Sequence, residues 1–76
     1  MNKQRRNELD KALKLTSEAQ AIVENIRDEE QDYFDNMPES FQQGDKGQDA
    51  EQVVSNLDEA LNAFEEIENY ISEAQG

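Results

Sequence analysis

In the C-terminal half of the chain Ala50, Val53, Leu57, Ala60, Phe64, Ile67, Ile71 and Ala74 recur at alternating spacings of three and four, with no polar residue among them. Only an α-helix turns that spacing into one continuous apolar seam, and a seam of this length needs another helix laid along it. The N-terminal half carries a matching seam of Leu9, Ala12, Thr16, Ala19, Val23, Ile26, Glu30 and Tyr33, broken only by Thr16 and Glu30. Between them lies Met37–Gly47, which holds the only proline and two of the three glycines. Pro38 lacks a backbone N–H and disfavours helix at Met37, while Gly44 and Gly47 readily take the positive φ of helix ends and turns. The pattern predicts a helix over 3–35, a connection over 36–48 and a second helix over 49–75. The connection has room for a short helical turn that starts at Asn36 or Met37, has Pro38 at its first helical position and ends before Gly44. Asp45 or Asp49 is the expected cap of the second helix. Met1–Asn7 lacks apolar periodicity and reads as a fraying helix end.

Folding the chain back at the connection sets Tyr33 opposite Ala50, Ile26 opposite Leu57, Ala19 opposite Phe64, and Leu9 opposite Ala74. Large residues then tend to face small ones, which predicts an all-α fold, a coiled-coil-like antiparallel two-helix hairpin. The apolar stripes are wider than one such contact, because Leu13, Leu15, Ile22 and Phe34 flank the first seam and Val54, Leu61, Ala63 and Tyr70 the second. Seventy-six residues in two helices enclose little interior. Dimerisation into a four-helix bundle is therefore expected, with Leu9, Leu13, Ile22, Val23, Ile26, Val53, Leu57, Leu61, Phe64, Ile67 and Ile71 as core and dimer residues.

Nineteen carboxylates give a net charge of −12, and no basic residue follows Lys46. Five of the seven bases, Lys3, Arg5, Arg6, Lys11 and Lys14, fall at the start of the chain, where the fold-back brings them beside Glu65, Glu66, Glu68 and Glu73. That pairing accounts for them better than nucleic acid would, since the rest of the chain repels phosphate and no aromatic residue interleaves with them. The acidity itself has three readings: a solvating face, a surface for an electropositive partner protein, or a mimic of the nucleic-acid backbone that occupies the basic groove of a DNA- or RNA-binding protein. Glu59, Glu65, Glu66 and Glu73 are the candidate acidic contacts. Tyr33, Phe34, Met37 and Phe41, clustered at the connection, either plug the end of the fold or form an aromatic contact patch. Glu30 on the first seam either reaches water or selects a partner.

Other chemistry finds little support. Cysteine and histidine are absent, which removes thiolate, imidazole and ordinary zinc chemistry. The acidic runs around Asp28–Asp35 and Asp45–Asp49 lack the order of ligands in an EF-hand loop. No segment supplies the pocket that would drive two carboxylates to different pKa values. The reading is of a non-enzymatic protein with no catalytic residues, cofactor or metal. The longest apolar run is Ala21-Ile22-Val23, so neither a membrane span nor a secretory segment is expected.

The run Tyr33-Phe34-Asp35-Asn36-Met37-Pro38-Glu39-Ser40-Phe41-Gln42, then Gly47 and an acidic Glu/Ala/Leu-rich helix, resembles small acidic helical-hairpin proteins of bacteriophages and prophages. The resemblance implies an accessory protein in the cytoplasm of a bacterial host, one that binds a bacterial protein, such as part of a defence system, and inhibits or redirects it. A structural or assembly role is the alternative that needs no soluble partner. If the seams drive assembly, Leu57→Asp or Phe64→Asp abolishes it and most of the helicity, read by circular dichroism and sedimentation. A helical, active monomer after either change would contradict that expectation.

Overall fold

The computed structural model describes every residue from Met1 to Gly76. It is all-α: α1 spans Lys3–Asp35, α2 Glu39–Gln42 and α3 Asp45–Gln75. No strand is present. The molecule is a rod with extents of 58 × 15 × 12 Å and a radius of gyration of 17.3 Å. A compact chain of this length would have a radius of gyration of about 11 Å.

The 33 residues of α1 run without a glycine or proline. Its start is capped by Asn2, whose Oδ1 accepts from the Arg5 N–H at 2.8 Å, so the end expected to fray has a specific cap. At the other end the Asn36 N–H donates to Asp32 O and the Met37 N–H to Phe34 O, and Pro38 prevents continuation. The turn after it is short. Pro38 is the N-cap of α2 rather than its first helical residue, and its carbonyl accepts from the Phe41 and Gln42 N–H groups at 2.8 and 3.1 Å. Gln42 ties this turn back to α1 by donating from Nε2 to Phe34 O at 3.0 Å.

The second long helix begins at Asp45, four residues before the expected Asp49. Gly44 is its N-cap, at φ −90° and ψ −173°, and Asp45 is already helical, so neither aspartate serves as the cap. Neither Gly44 nor Gly47 takes a positive φ; only Gly76 does. Gly47 has a different purpose. It is buried within α3 with the backbone of Gln42 directly over it, and a Cβ there would run into the Gln42 carbonyl and Cα. The glycine lets α2 rest on the first turn of α3, and it interrupts nothing.

The ends of the long helices meet crosswise in sequence. Gln75 Nε2, at the end of α3, donates to Asp10 Oδ1 at 2.9 Å and to Arg6 O at 3.3 Å, near the start of α1. Midway, Arg27 Nε donates to Asp58 Oδ1 at 2.8 Å. The side of α1 turned to α3 carries the half-buried Leu9, Leu13, Thr16, Gln20, Val23, Arg27, Glu30 and Phe34. The matching side of α3 carries Gly47, Ala50, Val54, Leu57, Leu61, Phe64, Glu68, Ile71 and Gln75. Only Gly47, Ala50 and Val54 are buried.

Of the residues expected in the core or the dimer contact, Ile22, Ile26, Val53 and Ile67 are exposed on the single chain, whereas Leu9, Leu13, Val23, Leu57, Leu61, Phe64 and Ile71 are partly covered. The rows through Leu9, Val23, Leu57 and Phe64 do face inward, but each helix completes its contact with residues four on from those rows and not three. A stripe wider than one contact leaves that choice open, and a single neighbour covers only one side. The expected charge pairing does need correction. The N-terminal bases make no ion pair with Glu65, Glu66, Glu68 or Glu73; the three ion pairs are Lys11–Glu8, Arg27–Asp28 and Arg27–Asp58. Long exposed side chains gain little from holding one geometry in water.

The two internal glycines predict opposite responses to alanine. Gly47→Ala gains about 1 kcal/mol of helix propensity but forces α2 off α3, an overpacking cost of about 1–3 kcal/mol. Chemical denaturation should show a net loss of stability, while Gly44→Ala, whose Cβ would meet nothing closer than 3.6 Å, stays near wild type.

Candidate functional site

The outward side of the helix pair holds the groups free to act. Around a helix, residues three on from a reference row lie roughly 60° to one side of it and those four on roughly 40° to the other. In α1 the inward contact uses the second set, which leaves Ile26 and Tyr33 on the flank with Leu15 and Ile22 beside them. In α3 the same choice leaves Val53 and Ile67 outside, with Tyr70 beside them. Because the start of α1 lies at the end of α3, these offsets fall on one side of the pair. The result is one apolar face spanning both helices. Tyr70 is 70%, Leu15 64% and Ile22 61% exposed upon it.

A second surface is acidic. Glu59, Glu66 and Glu73 are exposed at seven-residue intervals, which lines them up about 10 Å apart along the outer edge of α3, with Glu65 adjacent. This edge points away from α1. No other element covers it.

The residues near the connection separate. Phe34 and Met37 are half-buried, while Tyr33 and Phe41 are 54% exposed. Phe34 also lines a shallow cleft of about 260 Å³ with Gln31, Glu51, Val54, Ser55 and Asp58. A second open depression, of about 490 Å³, lies at the chain start between Met1, Asn2, Gln4, Arg5, Glu8 and Leu9. No three acidic side chains converge into a metal-ligand group. No helix is long and apolar enough to cross a membrane.

Three polar groups on the inward side were not singled out by periodicity. Arg27 replaces Ile26 at the contact and bonds to both Asp58 and Asp28, at 2.8 and 3.3 Å. Its pKa is raised above an already high ordinary value, chiefly by the hydrogen bond to Asp58 and despite desolvation. One signal was available: Arg27 is the only base between Lys14 and Lys46. Gln75 is a second cross-helix tie. Glu68 is the third of these polar groups but ties nothing, since its Oε1 is buried without a hydrogen-bond partner. Glu30 is likewise half-buried on the inward side.

No protein-family model, curated protein or solved structure matches the chain.

Glu68 gives a direct check on the inward packing. Replacing it with methionine removes an unsatisfied buried acceptor and keeps an unbranched side chain, so Glu68→Met should raise stability by about 1 kcal/mol. An unchanged or lower denaturation midpoint would show that the carboxylate is solvated.

Proposed function

We propose that the protein is an antiparallel helical hairpin that pairs with a second copy into a four-helix bundle and acts, without catalysis, by binding another protein. The observation that carries this reading is the apolar face running along both helices, with Leu15, Ile22 and Tyr70 mostly in solvent. Such a face on a molecule with only three buried residues is a binding surface rather than a leftover of folding. Once it is covered by self-association, the surfaces left for a target are the acidic outer edge of α3 and the exposed Phe41 on α2. The target is a bacterial protein with a basic surface, which the acidic edge would steer and hold. The likeness of the connection to phage and prophage proteins supports a phage-encoded accessory protein that inhibits or redirects its target, with host defence proteins in that class.

The geometry also favours a second reading, nucleic-acid mimicry. A net charge of −12 over 58 Å is about one charge per 5 Å, and two copies side by side reach about one per 2.4 Å. Duplex DNA carries one per ~1.7 Å. The two readings differ in what the target does with nucleic acid.

The test is capture from nuclease-treated bacterial lysate by the tagged wild-type protein and by a variant with Glu59, Glu65, Glu66 and Glu73 changed to Gln. Protein binding through the acidic edge predicts one discrete partner, lost from the variant and indifferent to added DNA or RNA. Displacement by nucleic acid would establish mimicry instead. Recovery of the protein alone, from wild type and variant alike, would contradict both and favour a structural or assembly role.

A further inference from the structure

The side of each helix already in contact is the more polar one. Within α1 the inward side includes Thr16, Gln20, Arg27 and Glu30, whereas the flanking row from Ala12 through Leu15, Ala19, Ile22 and Ile26 to Tyr33, in which only Ala12 and Ala19 are half-buried, contains one charged residue, Glu29. Within α3 the flanking row from Val53 through Ala60, Ala63, Ile67 and Tyr70 to Ala74, exposed except for the half-buried Ala60, contains one polar residue besides the tyrosine, Asn56. Both rows keep the alternating three-and-four spacing of a coiled-coil seam. The exposed surface points the same way. The chain exposes 5772 Å², against about 4,700 Å² for a compact protein of 8.7 kDa. The surplus of about 1,000 Å² is close to the ~800 Å² that each partner buries in a standard interface.

The Arg27–Asp58 and Gln75–Asp10 contacts set the level of each residue on the rod. On that register Ile22 lies level with Ala63 at the middle of the face. Ile26 lies level with Ala60, and Ala19 with Ile67. Further out, Glu29 lies level with Asn56 and Leu15 with Tyr70; at the ends Tyr33 is level with Val53 and Ala12 with Ala74.

Resting on the self-association proposed above, we infer that two copies meet on this face about a two-fold axis that crosses the helices at the level of Ile22 and Ala63. Each α1 then lies on the other copy's α1 in the reverse direction, and each α3 on the other α3. This arrangement reverses the order of levels. The two alanines, Ala12 and Ala74, meet Tyr33 and Val53; Ala19 and Ile67 meet Ile26 and Ala60; Ile22 and Ala63 meet themselves. Every one of these levels combines large with small side chains at nearly constant volume. The remaining level brings Leu15 and Tyr70 against Glu29 and Asn56, so the Tyr70 hydroxyl finds the Asn56 amide of the other copy and neither is buried unpaired.

An axis along the rod would do the opposite. It would stack four alanines at one end and two tyrosines with two valines at the other, and would bring two Glu29 carboxylates to one level. Charge separates the alternatives in the same sense. Residues 23–62, the half nearest the connection, carry twelve acids and two bases, while the other half carries seven acids and five bases. The crosswise axis sets the more acidic half against the less acidic one. The lengthwise axis superimposes the two more acidic halves, where repulsion is greatest.

Because the chain has no cysteine, single engineered thiols read the geometry directly. Under mild oxidation Ala63→Cys should link most chains into covalent dimers, and a mixture of Ala74→Cys with Val53→Cys should give heterodimers. A mixture of Ala12→Cys with Ala74→Cys should not, since a disulfide needs the two Cα atoms within about 7 Å. Sedimentation of the unmodified protein is run alongside. A dimer that fails to link through Ala63→Cys, or that links Ala12→Cys to Ala74→Cys, overturns the crosswise axis and leaves self-association standing. A monomer at all concentrations overturns both.

Discussion

Two helices laid side by side can each bury one strip of surface, and the strips in this chain are broader than that. The inward contact takes the row through Leu9, Thr16 and Val23 with its neighbour through Leu13, Gln20 and Phe34, and the equivalent rows of α3. The apolar residues on the far flank remain in water. At about 25 cal/mol per Å² of apolar surface, covering even a few hundred Å² of that flank would contribute several kcal/mol. This is a large quantity for a domain whose total stability is typically 5–15 kcal/mol. The rod shape, the shortage of buried residues and the proposed pairing all follow from that mismatch between stripe width and helix number.

The inner contact sets register more than it supplies stability. Arg27 bridges to Asp58, Gln75 reaches Asp10, and Gln42 holds the turn to the end of α1. Each of these bonds is directional, so sliding one helix by a turn would break them together. Glu30 and Glu68 add polar groups where an apolar residue would pack better. Gly47 completes the end by letting α2 lie on α3 without a side chain between their backbones. A contact built in this way fixes which residues share a level, and those levels give the outer face its graded order from Ala12 and Ala74 to Tyr33 and Val53.

That the chain is all helix was legible in the heptads, in Pro38 and in the lack of any alternating strand pattern. The choice of inward row was not, because around Leu57 both Ala60 and Leu61 are apolar, and around Val23 periodicity favours Ile26 over Arg27, the residue that makes the contact. The start of α3 was missed for a related reason: Gly47 has the composition of a helix stop, and only tertiary contact with Gln42 shows it to be a place of close approach. The ion pairing between chain ends was expected from net charge, yet exposed lysine, arginine and glutamate side chains have no reason to settle into single contacts. Of the candidate site, the four glutamates read as surface residues from their charge, whereas the seam puts Tyr33 opposite Ala50 and the structure leaves it exposed. Their division into an apolar face and an acidic edge needed the helices in place.

The measurement that bears most directly on this account is the thermal unfolding midpoint as a function of protein concentration, followed by circular dichroism. If the outer apolar face is covered by a second copy, folding is coupled to association and the midpoint climbs steadily as concentration rises. A midpoint that does not move with concentration, in a chain that remains fully helical on dilution, would mean that the two long helices are stable with their apolar face in water, and would contradict the central claim.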